Sequence, residues 1–154
     1  ATMNRAHCIT AILAEPVGQH AGVLVALGGV SSGYVLYLKD GHLCYEYNYI
    51  GQRYRIRSAD PVPANATVFK FVFDKTGDRQ GIGRLLIGDM EVGATTFPAV
   101  LPYFHGWHGL DIGRDALSPV SADYDGAFAF SGSIDRIVYD LAESEDTLLF
   151  EPVD

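Results

Sequence analysis

Residues 34–49, YVLYLKDGHLCYEYNY, place two alternating runs on either side of Asp40-Gly41. A two-residue turn of type I′ needs positive φ at both central positions, and Asp-Gly accepts this readily while matching the twist of the flanking strands. Residues 34–39 and 42–49 are therefore expected to form an antiparallel hairpin with successive side chains on opposite faces. A hairpin needs further strands to bury its apolar face, so the rest of the chain must supply them.

It does so at regular intervals. Strand-like segments recur every eight to fifteen residues: 7–14, 22–27, 53–57, 67–74, a hairpin over 83–93 turning at Gly88-Asp89, 109–114 and 132–141. This is the rhythm of a sandwich or barrel, not of strands alternating with helices. Residues 75–83, KTGDRQGIG, read as a polar tip, and 97–108 as a loop. In RYRIR, 53–57, arginines alternate with Tyr54 and Ile56, giving one charged and one apolar face. About eleven strands in one domain over 1–154 imply two packed antiparallel sheets. The absence of Met at position 1 suggests a piece of a longer chain.

Composition agrees with an all-β core and removes several partners. Hydrophobic residues make up 48% of the chain, with 17 Gly, 9 Tyr and 8 Phe, the turn formers and aromatics that strands favour. The net charge of −8 and the lack of a Lys/Arg cluster along the sequence argue against nucleic acid and anionic membrane as partners. No apolar run is long enough for a spanning helix. Cys8 and Cys44 sit among strand residues, where a free thiol acts as a small hydrophobe. Asn65-Ala66-Thr67 matches a glycosylation acceptor, a short pattern of low specificity.

Three segments in order, NRAHCITA at 4–11, GVLVALGG with GYVLYLKDGHLCYEYNYIGQRYRIRS within 22–58, and LDIGRDALSPVSADY with FSGSIDRIVYDL within 110–141, resemble the C-terminal domain of large bacterial arylsulfatases. The resemblance covers nearly the whole chain. It implies a concanavalin A-like, laminin-G-like jelly-roll sandwich of two antiparallel sheets that follows a sulfatase catalytic domain. The family's nucleophile, a formylglycine made from C/S-x-P-x-R, does not come with it: neither CITAI at 8–12 nor CYEYN at 44–48 has the proline or the arginine. The sequence also departs from the family at His105-Gly106-Trp107-His108-Gly109, where a polar Ser-Ala-Asp-Glu-like run is expected. The implied role is a non-catalytic accessory domain that packs on the catalytic domain, shapes the rim of its site or supports an oligomer. A free-standing carbohydrate-binding module of the same fold is the alternative.

Candidate sites follow from residue type. Asp111, Asp115, Asp123 and Asp125, in the irregular stretch DIGRDALSPVSADYDG, offer hard oxygen ligands for calcium, though not at EF-hand spacing. The competing and favoured reading is a sheet corner in which Arg114 pairs with one aspartate while Ser118 and Ser121 bond to turn amides. Glu46 stands alone among tyrosines, short of the two facing carboxylates that glycoside hydrolysis requires. His105 and His108 share H-x-x-H spacing without a third ligand to complete a zinc site. Tyr45, Tyr47 and Tyr49 fall on one side of a strand, and with Trp107 they make a candidate ligand surface or a core or interdomain face. The apolar tail Leu148-Leu149-Phe150 is expected to fold back onto a sheet or a neighbouring chain.

Overall fold

The computed structural model describes residues 6–28, 33–50, 52–78, 80–97, 110–114, 120–121, 123–124, 126–141 and 152–153. These form β1 (His7–Leu13), β2 (Gly22–Gly28), β3 (Gly33–Lys39), β4 (His42–Tyr49), β5 (Gln52–Arg57), β6 (Val68–Gly77), β7 (Gln80–Ile87), β8 (Met90–Phe97), β9 (Leu110–Ile112), β10 (Ile134–Leu141) and β11 (Pro152–Val153). There is no helix among the described residues.

The strands divide into two antiparallel sheets. One runs β11-β10-β1-β6-β7-β8, the other β5-β4-β3-β2-β9. The fold is thus the all-β, jelly-roll sandwich anticipated from the sequence. Asp40 and Gly41 have φ of 53° and 77°, the signs a type I′ turn requires, and Lys39 pairs with His42 across them. Once that register is set, every pair in the β3–β4 ladder follows, from Leu38 opposite Leu43 to Gly33 opposite Asn48.

Alternation then sorts the side chains. Ile9, Ala11 and Leu13 of β1, Leu36 and Leu38 of β3, Tyr45 and Tyr47 of β4 and Phe69, Phe71 and Phe73 of β6 meet between the sheets in the main core. Tyr34 and Tyr139 join the two sheets through their hydroxyls at 2.8 Å. A Tyr hydroxyl this deep in an apolar core needs such a partner to offset the water it has lost.

The expected polar tip at 75–83 is corrected to a tighter hairpin. β6 runs to Gly77 and β7 begins at Gln80, with Lys75 still paired to Gly81. The reason lies on the inner face. A Cβ at Gly81 would come within 2.4 Å of the Phe73 ring, and one at Gly83 within 2.8 Å of both Phe71 and Phe97. The glycines read as signs of flexibility are the trough in which three phenylalanine rings lie, so this segment is strand. At the far end, the backbone of β11 pairs with Tyr139 and Asp140 on the edge of the six-stranded sheet. The tail residues Leu148, Leu149 and Phe150 lie outside the described residues.

Candidate functional site

The outer face of the five-stranded sheet carries a dense polar arrangement. The ladders place Tyr37, Cys44 and Arg57 in one row, Val35, Glu46 and Arg55 in the next, and Gly33, Asn48 and Arg53 in a third. Their neighbours Tyr45, Tyr47, Tyr54 and Ile56 point the other way, into the main core.

This outer face is not open to water along its length. Val23, Ala26, Val35, Tyr37 and Cys44 form a second apolar cluster with Val120 and Tyr124, and Phe128 packs against it. The Tyr124 ring meets Tyr37 edge-on at 5.4 Å and stacks on Phe128 at 5.1 Å. The Val23 amide donates to the Phe128 carbonyl at 2.8 Å, anchoring the crossing segment to β2. Val120, Tyr124 and Phe128 therefore lie on this face and cover part of it.

Under that cover Glu46 is fully buried. Arg55 donates to its Oε1 from Nε at 2.8 Å and also approaches through Nη2 at 2.8 Å, while Arg53 Nε lies 3.2 Å from Oε2. A buried carboxylate must be paired, and two guanidinium groups on the adjacent strand do this. Beside them Asp123 accepts from the Tyr37 hydroxyl at 2.9 Å and from Lys39 Nζ at 2.8 Å. Lys39 also donates to the Asp123 backbone carbonyl, and the Asp123 amide donates to Ser121 Oγ at 3.0 Å. Burial alone would raise the Asp123 carboxyl, but the hydrogen bonds from Lys39 and Tyr37 and the charge of Arg55 outweigh it and hold the group below its ordinary range. Loss of solvent pushes the Cys44 thiol up to about 11, with Asp123 adding to the effect.

The sequence-derived sites fare differently. Tyr45 and Tyr47, considered as a ligand or interdomain surface, have 0% exposure; they are core residues, because β4 directs them at β6 and β8. The Tyr45 ring stacks on Phe71 at 3.5 Å and Tyr47 meets Phe97 at 5.9 Å. Tyr49, half-buried, packs against the same core. In the aspartate stretch Ser121 does satisfy a turn amide, and the cation bonded to Asp123 is Lys39 of β3, brought there from across the sheet. Arg114 is exposed, and the other three aspartate side chains it was expected to choose among are not described. The Asp111 side chain and Asp115, Ser118 and Asp125 lie outside the described residues, as do His105, Trp107 and His108. No group of three metal-ligating side chains occurs among the described residues. Tyr37, Lys39 and Arg53 were missed as site residues. The signal was present: the Asp40-Gly41 turn fixes which side chains share a face, and that face holds Lys39, Glu46 and three arginines.

No protein-family model matches the chain, and no curated protein matches it in sequence. Solved structures do: 23 chains match, among them the LG1-3 region of the laminin alpha2 chain, with TM-score 0.59. The chain has a laminin G-like fold. The match covers 97% of this chain and 28% of the laminin chain at 12% identity, which carries the architecture alone.

Proposed function

We propose that this chain is a non-catalytic accessory β-sandwich of an arylsulfatase-like sulfuric ester hydrolase, packing on the catalytic domain or shaping the rim of its site. The observation that carries the non-catalytic part is the covering of the five-stranded sheet by Val120, Tyr124 and Phe128. A glycan-cleaving sandwich needs two carboxylates facing an open cleft, one of them protonated. Here Glu46 is locked between Arg53 and Arg55 beneath that cover. The sulfatase part rests on the three ordered sequence segments that resemble the C-terminal domain of those enzymes.

The test begins with the coding sequence upstream of Ala1. A C/S-x-P-x-R segment in frame supports the reading. The longer chain should then hydrolyse an aryl sulfate while residues 1–154 alone do not. Turnover by the isolated chain, retained after repurification with sulfatase absent by mass spectrometry, would overturn it. A free-standing carbohydrate-binding module is the second reading, supported by the same fold. Saturable binding on a glycan array by the isolated chain, with no sulfatase segment upstream, would favour it.

A further inference from the structure

The end of the five-stranded sheet's outer face contains a small polar cavity of about 100 Å³, lined by Lys39, Asp40, Cys44, Arg55, Arg57 and Asp123. Four of the chain's 11 Lys and Arg residues, Lys39, Arg53, Arg55 and Arg57, lie on this one face, in a chain whose net charge is −8. Set against Glu46, Asp123 and Asp40, these cations leave the face a small positive excess in an otherwise acidic chain.

The donors are unequally engaged. Asp123 is held by Lys39 and Tyr37. Arg55 directs Nε and Nη2 to Glu46, while its Nη1 stands 4.0 Å from Asp123, beyond hydrogen-bond reach. Arg57 is exposed, and no carboxylate of the described residues lies within ion-pair distance of it. Two guanidinium groups on one edge strand, at alternate positions and therefore on one face, thus present N–H donors to the same cavity. Opposing them is Asp40, at the hairpin turn on the rim.

We propose that this cavity is a binding site for one tetrahedral oxyanion, a sulfate or phosphate group, held by the Arg57 guanidinium and Arg55 Nη1 with Lys39 at its side. The cavity has room for several waters, and so for such a group. Forked N–H donors match the edge of a tetrahedral oxyanion better than a point charge does. The pre-existing Arg55–Glu46 and Lys39–Asp123 bonds orient the wall before a ligand arrives. The site stands apart from the accessory-domain reading and is compatible with either parentage.

Sulfate stabilises folded proteins without binding, so the test must read the site itself. The Nε–Hε resonances of Arg55 and Arg57 would be followed by NMR as sodium sulfate, then sodium phosphate, replaces chloride at constant ionic strength. A saturable shift of both resonances is expected. Arg57→Gln, an exposed edge substitution, should weaken the fitted affinity about tenfold, as loss of a charge-assisted hydrogen bond does. Asp40→Asn should tighten it about threefold by removing the opposing charge, and Arg136→Gln on β10 should leave it unchanged. Glucose 6-sulfate against glucose separates the sources. Equal affinity for the ester and the free ion assigns a free-anion site, and a tighter ester assigns a group carried on a larger ligand. Shifts that fail to saturate, or whose fitted affinity is unchanged in Arg57→Gln, mean an adventitious ion only and overturn the proposal.

Discussion

Tyr34 on β3 and Tyr139 on β10 touch hydroxyl to hydroxyl at 2.8 Å, a direct polar link between the two sheets. Burial and the neighbouring Tyr34 together raise the Tyr139 phenol above its ordinary range, so the pair stays protonated and each oxygen keeps a hydrogen to share. Replacing one by Phe removes the partner of the other. Tyr34→Phe and Tyr139→Phe are each expected to cost about 1–2 kcal/mol, and the double variant less than their sum, a coupling measured by urea unfolding in a double-mutant cycle.

Tyr45 makes the opposite case. Its hydroxyl is buried with no hydrogen-bond partner among the described residues, although its ring stacks on Phe71. Tyr45→Phe keeps the stack and removes an uncompensated polar group. A stability gain of about 1 kcal/mol is expected. A loss of that size would show that the hydroxyl has a partner in the folded state.

Glu46 is buried between Arg53 and Arg55. Glu46→Ala leaves two guanidinium groups beside an apolar cover and is expected to destabilise by about 3 kcal/mol, as breaking a buried pair does. Arg53→Gln, which leaves Arg55 in place, should cost less. The ranking of the two unfolding midpoints in urea checks this.

Cys44 gives an alkaline signature. Its folded pKa is raised to about 11 from an ordinary value of 9.0, so between these values the folded state binds more protons than the unfolded one. Stability is then fully present below about pH 9 and declines as pH rises towards 11. Cys44→Ala should flatten that decline relative to wild type in melting curves at pH 8 and pH 10.5, pH values set by the interval in question. An unchanged slope would mean the thiol is not the group responsible.

Asp123 couples the calcium question to the sheet. With its carboxylate bonded to Lys39 and Tyr37, Asp123→Asn is expected to cost about 1–2 kcal/mol whether calcium is present or chelated. Its depressed folded pKa adds stability that is present above the unfolded pKa and lost as acid reaches the folded one. Calcium titrated at fixed ionic strength should give no saturable rise in melting temperature. A saturable rise that Asp123→Asn abolishes would make the loop a metal site.

The hairpins and the two-sheet plan were legible because turn chemistry and period-two alternation are local. Asp40-Gly41 and Gly88-Asp89 turn where they were expected to turn. What escaped was non-local. Gly81 and Gly83 look like loop residues until Phe71, Phe73 and Phe97 are placed across the sheet from them. Tyr45 and Tyr47 lie on one face in the sequence pattern, but which face is covered depends on the opposite sheet. Lys39 and Asp123 are 84 residues apart, so nothing along the chain announces their bond.

The order of strands sets a timetable for the emerging polypeptide. β1 lies inside the six-stranded sheet, with Ile9 opposite Phe71 on one side and Tyr139 on the other. Both partners are synthesised after it, β6 first and β10 later. The β2–β5 meander closes on itself early, while HCITAIL leaves the ribosome with two bare edges and an apolar face. Until residue 141 is free, this strand has only β6 to pair with, and before that nothing. The interval is when the chain is most exposed to strand-on-strand aggregation, and slowing elongation between β6 and β10 lengthens it.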